Sequence, residues 1–211
     1  MKIRHAAGLP ILAMAGAMTV SLTGTGPAAL ASARPAGTAA GGGSWSAAAQ
    51  PMTVRRPFGP GCSAVPRTGK GSFTGMAADP VATAASHNPV LSTLVAAVKK
   101  AGLVDTLNGA DGITVFAPTD QAFAKIPKAT LAKVLADRKT LTAILTYHVV
   151  KGRKTPADLR RGRFTTLQGG AVATRGSGAT YMINNARVVC GDVPTRNATV
   201  YLIDTVLMPK S

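Results

Sequence analysis

Apolar residues at Val90, Leu91, Leu94, Val95 and Val98 recur at helical spacing. Asn88 ahead of Pro89 supplies an N-cap, Lys99 and Lys100 fall in the last turn, and Gly102 offers a stop. A short strand follows at Ile113–Ala117. Thr119 can then cap a helix through Ala122, Phe123 and Ile126, which Pro127 ends. Leu131, Val134 and Leu135 predict another helix, and Leu141, Ile144 and Leu145 a third. Past Arg163 the period changes to that of strands: Phe164–Gln168, Ala171–Arg175, Thr180–Ile183, Arg187–Cys190 and Thr199–Met208. Gly169-Gly170, Gly176-Ser177-Gly178 and Asn184-Asn185 separate them as turns. Helices first and strands after predict an α+β domain with an antiparallel sheet.

The first third of the chain reads differently. Lys2, Arg4 and His5 precede an apolar run from Ala6 to about Leu22, and small-residue cleavage patterns follow at Ala29-Leu30-Ala31 and Ala31-Ser32-Ala33. That is the layout of a secretory signal peptide, assigned to residues 1–33. Pro10 and the Gly and Thr residues dilute the run below what a membrane span needs, so no stable membrane insertion is expected after cleavage. Residues 34–60, rich in Ala, Gly, Ser and Pro, read as a disordered tether, because they cannot bury enough apolar area to offset the entropy of ordering. Residues 61–211 form the single domain.

Export changes how the composition is read. The 211 residues carry 24 Lys and Arg against 8 acids, all of them Asp, for a formal charge of +16. A chain without Glu has little material for oxygen-ligand metal sites or for hydrolysis by a carboxylate pair, and no cofactor is expected. The excess cation predicts attraction to anionic surfaces. Cys62 and Cys190 are the two cysteines, and an even count in an exported chain points to a disulfide.

Three segments now resemble a known family. "TVFAPTDQAFAKIP" (Thr114 to Pro127), "LTYHVV" (Leu145 to Val150) and "NATVYLIDTVLMP" (Asn197 to Pro209) are similar, in order and spacing, to the signature segments of the fasciclin domain, a likeness that covers roughly Met76 to Pro209. "GPGC" at Gly59–Cys62 and "VVCGDV" at Val188–Val193 resemble a narrower group, the small secreted single-domain fasciclin antigens of mycobacteria and other actinobacteria. The resemblance implies a Cys62–Cys190 bridge and an antiparallel β-wedge or sandwich flanked by helices. It also implies a role in adhesion. In some animal members the Tyr-His segment, matched by Tyr147 and His148, is implicated in integrin binding. The Asp-Ile element of those members is replaced here by Asp192-Val193-Pro194, so an integrin role is not expected.

Tyr147 and His148 stand among apolar neighbours, where a phenol and an imidazole each need a hydrogen-bond partner, an ordinary core role. No Gly-x-Ser-x-Gly elbow, His-Glu-x-x-His or Ser-x-x-Lys accompanies them, so no catalytic residue is assigned and the protein is read as non-enzymatic. The neighbouring run places Lys151, Arg153, Lys154, Arg160, Arg161 and Arg163 within thirteen positions, with Asp158 as the local acid, and Gly152, Pro156 and Gly162 predict a loop. With Tyr147 and His148 this basic loop forms the candidate interaction surface. Its expected partners are anionic cell-envelope or extracellular polymers, or a cell-surface protein. Nucleic acid is not expected, because aromatic content is 4% and export removes it from reach. The alternative is a small-ligand carrier or enzyme with a pocket near His148. Asn197-Ala198-Thr199 is a glycosylation sequon, and Asp204, inside an apolar strand, is expected to be a hydrogen-bonded structural acid.

Overall fold

The computed structural model describes residues 56–209; the segment read as signal peptide and most of the segment read as tether lie outside the described residues. Four helices come first, α1 (Phe73–Ala78), α2 (Val81–Ser86), α3 (Ser92–Ala101) and α4 (Val104–Gly109). Strand β1 (Ile113–Pro118) leads to α5 (Asp120–Ala124), α6 (Lys128–Ala136) and α7 (Arg138–Tyr147), and β2 (Val149–Lys151) follows directly. The remaining strands are β3 (Arg161–Thr165), β4 (Ala171–Ser177), β5 (Thr180–Ile183), β6 (Ala186–Pro194) and β7 (Ala198–Ile203).

Local signals fix several of these elements. Asn88 accepts from the Val90 amide, and Thr119 caps α5 by accepting from Ala122. Gly102, at φ 72°, closes α3 in the left-handed conformation that a side chain disfavours. α2 is different. Pro80 gives it no side-chain cap, and its first amides bond instead to Asn197 Oδ1 (Val81, 2.8 Å) and Asn108 Oδ1 (Ala82, 3.0 Å; Thr83, 3.3 Å).

The seven strands form one sheet in the order β2-β1-β7-β6-β5-β4-β3. The pairs are antiparallel except β1 with β7, which run parallel from Ile113↔Ala198 to Pro118↔Ile203. The α+β domain with an antiparallel sheet expected from the sequence is observed, with this one pair parallel. Both strands are buried at every position, the condition under which parallel pairing is found. Val115, Ala117, Val200 and Leu202 face the helices, while Phe116, Tyr201 and Ile203 face a second core with Val172, Ile183 and Val188. That second core is enclosed by the sheet itself. Register shifts in β6 between Val188 and Cys190 and between Cys190 and Val193 bend the strand. The far ends then meet, with Val150 bridging Thr166 and the Leu167 amide donating to Val149 at 2.8 Å. The result is a nearly closed wedge.

Cys62 and Cys190 are joined, as implied by the resemblance. Ordered contact begins inside the segment read as tether, because Phe58 pairs with Gly191 and stacks 5.2 Å from the Tyr181 ring.

Candidate functional site

α7 ends at Tyr147, and the chain turns through His148 into β2, so both aromatic rings enter the interior. Tyr147 is 4% and His148 2% exposed. Tyr147 donates its hydroxyl proton to the Ala171 carbonyl (2.9 Å) and accepts from Asn184 Nδ2 (3.3 Å). His148 Nδ1 donates to the Ile144 carbonyl (2.8 Å), and Nε2 accepts from the Leu207 amide (2.9 Å). Both ring nitrogens are therefore used, and the imidazole ties α7 to the C-terminal segment. The space beside it is only about 10 Å³, room for one water at most. His148 belongs to the core, and the expected interaction edge at Tyr147-His148 is corrected to an internal one.

Burial pushes the His148 pKa down from 6.5 to about 4, and the bond to the Ile144 carbonyl only partly opposes this. A depressed histidine favours the neutral folded state. Its contribution is complete above pH 6.5 and is lost as pH falls toward 4. The shift corresponds to about 3 kcal/mol. Urea unfolding at pH 7, 5.5 and 4 should show that loss in the native protein, and a nearly flat profile over the same range for His148→Ala, starting from a lower value.

The basic residues divide into committed and available groups. Arg153 is committed, its guanidinium donating to the carbonyls of Thr195, Arg196 and Ala198 and so fastening the segment after β2 onto the β6–β7 turn. Lys154 is half-buried with its ammonium 5.0 Å from the Phe164 ring centroid. Its amide donates to Thr114, and its carbonyl accepts from the Tyr201 hydroxyl at 2.9 Å. Lys151, Arg160, Arg161 and Arg163 are exposed. The predicted loop holds from Gly152 to Ala157 and is corrected at its ends, since Lys151 ends β2 and Arg161–Arg163 open β3. Lys151, Lys154 and Arg163 meet around an open depression of about 380 Å³ between these strands.

Strand register adds two residues that sequence reasoning missed. Arg161 lies opposite Arg175 on β4, Arg175 opposite Met182 on β5, and Met182 opposite Arg187 on β6. Directly paired residues share a face, so the three arginines form a row across four strands, about 14 Å at the usual spacing. Arg163, two residues from Arg161, lies on the same face. The flanking Thr165, Ala171 and Ala173 are small and exposed. From Leu159 to Gly191 the sequence has five arginines and no acidic residue. The signal that could have found Arg175 was the β3–β4 hairpin, once β3 is started at Arg161 instead of Phe164.

Asp204 is the structural acid expected. It accepts from the Arg187 amide (2.8 Å) and pairs with Lys125 (3.1 Å). Burial raises its pKa, but the Arg187 amide and the Lys125 ammonium outweigh burial and hold it below the usual carboxylate value.

Comparison with known proteins identifies the class to which this curled, disulfide-closed α+β wedge belongs. The fasciclin domain family model matches residues 89–209, and the chain belongs to the fasciclin family. The cell surface glycolipoprotein MPB83 of Mycobacterium bovis is 54% identical over 147 residues, covering 67% of this chain and 66% of that protein. The immunogenic protein MPB70 of the same species is 50% identical over 159 residues, covering 72% of this chain and 81% of its own length. Among solved structures, a FAS1 domain pair from the insect cell adhesion molecule fasciclin I superposes with a TM-score of 0.53 at 21% identity. That superposition covers 64% of this chain and 52% of the insect one and supports the fold alone.

Proposed function

We propose that the protein is a secreted, non-enzymatic fasciclin module, free or held at the cell wall, that associates with anionic polymers of the cell envelope or extracellular matrix. The interaction face is the outer surface of β3–β6, carried by Arg161, Arg163, Arg175 and Arg187 with Arg160 and Lys151 beside it. The observation that carries this reading is the direct opposition of Arg161 and Arg175. Like charges opposed across a sheet destabilise it, so a pairing that costs stability here suits charges used by a partner at the surface. The names of the mycobacterial relatives, one a cell surface glycolipoprotein and one an immunogenic protein, support a location outside the cell and a role other than catalysis.

Co-sedimentation of the mature protein with washed cell envelopes across a salt series tests the proposal. Binding should weaken steadily as salt rises, because exposed charges are screened. The triple variant Arg161→Ser, Arg163→Ser and Arg175→Ser should bind about tenfold less at low salt, taking each exposed contact near the middle of its usual range. Its thermal unfolding should be unchanged or slightly improved. Equal binding by the variant would remove this face as the site.

A further inference from the structure

The layer between the helices and the sheet is not filled. A cavity of about 160 Å³ lies between α2–α4 and the face of β1 and β7 that carries Val115 and Val200. Its wall is almost wholly aliphatic, with Val81, Leu91, Leu94 and Val98 opposite the sheet. Protein interiors normally close-pack and leave no such space. The uncharged polar residues of the wall, Thr83, Ser86, Asn88 and Thr195, are engaged within the protein. Asn88 Oδ1 accepts from the Val90 amide, and the Thr195 hydroxyl donates to the Ala198 carbonyl. A resident water needs two to four polar partners, so this space suits hydrocarbon better than water. The exposed members of the wall are Ser86 and Lys99, which mark the mouth, and no Asp or Glu lines it.

We propose that this cavity binds a fatty-acid anion, with the end of the hydrocarbon chain among Leu91, Leu94 and Val98 and the carboxylate at the Lys99 ammonium. The volume sets the scale. An engineered apolar cavity of about 150 Å³ accepts benzene, so about six carbons fit inside while the rest of the chain lies along the mouth. The site is separate from the arginine row, and its observations are independent of those behind the adhesion reading.

Methyl NMR titration of the mature protein with octanoate and with octanol tests it. Both ligands should shift the methyl signals of Leu94, Val98 and Val200. Lys99→Gln should weaken octanoate about two- to fivefold, the range of an exposed ion pair, and leave octanol unchanged. Ala84→Leu, which enlarges a wall residue, should lose both ligands at least about tenfold. Xenon shifts of the same methyls in the unaltered protein test the cavity without any substitution. The assignment is overturned if octanoate leaves these methyls unmoved, or if Ala84→Leu folds and binds like the native protein. It is also overturned if Lys99→Gln affects acid and alcohol equally, or if phosphatidylglycerol vesicles shift the methyls while octanoate does not.

Discussion

Removing the Cys62–Cys190 bridge, by reduction or by the double substitution Cys62→Ala and Cys190→Ala, is expected to lower the unfolding free energy by about 4–5 kcal/mol. The bridge spans 128 positions, from the turn before α1 to the middle of β6. In the chain-entropy account its effect falls on the unfolded state, which gains freedom in proportion to the logarithm of loop length. The native state is already held at that place without it. Phe58 and Gly191 exchange two backbone hydrogen bonds, of 3.1 and 2.8 Å. The segments are so close that a Cβ on Gly191 would lie 2.4 Å from the Phe58 ring, and one on Gly59, at φ 111°, would lie 2.4 Å from the Val189 carbonyl oxygen. Circular dichroism should therefore show the same folded spectrum after reduction, while the urea midpoint drops sharply. Reduced native protein and the alanine pair should agree. A loss below about 1 kcal/mol would mean that the unfolded chain stays compact around this contact.

The contrast between Cys62 and α2 shows what a sequence can and cannot disclose. The bridge and the signature segments are local patterns, and so are the caps at Asn88 and Thr119. α1, α2 and α4 leave no signature in the sequence, because six residues are less than two turns and carry no readable period. α2 also lacks a local start signal, since its capping asparagines lie 26 and 116 positions away. β3 begins three residues ahead of Phe164, at Arg161, Gly162 and Arg163, whose composition is that of a loop. They are the charged beginning of an end strand, a placement that protects a sheet edge from unwanted pairing.

The same split runs through the candidate site. The charge of the Lys151–Arg163 run is plain in the sequence, and so are the apolar neighbours of Tyr147 and His148. The Arg153 carbonyl clamp, the Leu207 partner of His148 and the Arg161–Arg175–Arg187 row all depend on long-range register. The cavity depends on it too, because its walls come from segments more than one hundred residues apart.

Asn197→Ala is expected to destabilise the domain by about 3 kcal/mol or more, because each buried polar group left without its partner costs about 1–3 kcal/mol. Asn197 is 5% exposed, and every arm of its amide is used. Oδ1 accepts from the Val81 amide at 2.8 Å. Nδ2 donates to the carbonyls of Leu107 (2.8 Å), Asn108 (3.2 Å) and Ala110 (2.7 Å). Its own carbonyl accepts from Gly112 and Ile113 at the entry to β1. One side chain thus joins the start of α2, the end of α4 and the start of β7. Alanine would strand the buried Val81 amide and leave three half-buried carbonyls without their donor. Asn197→Asp keeps the acceptor for Val81 but turns a carboxylate toward three carbonyls. It should lose at least as much at neutral pH and recover part of the deficit as pH falls, the reverse of the His148 effect. Urea unfolding of both variants at pH 7 and pH 5 separates the two cases, and a loss below about 1 kcal/mol for either would show that other groups hold α2 and α4. The sequon asparagine is thereby committed to the interior, where the folded domain leaves no free amide for a glycan. Val81 and Leu107 also wall the apolar cavity, so the alanine variant should bind octanoate more weakly even where it remains folded.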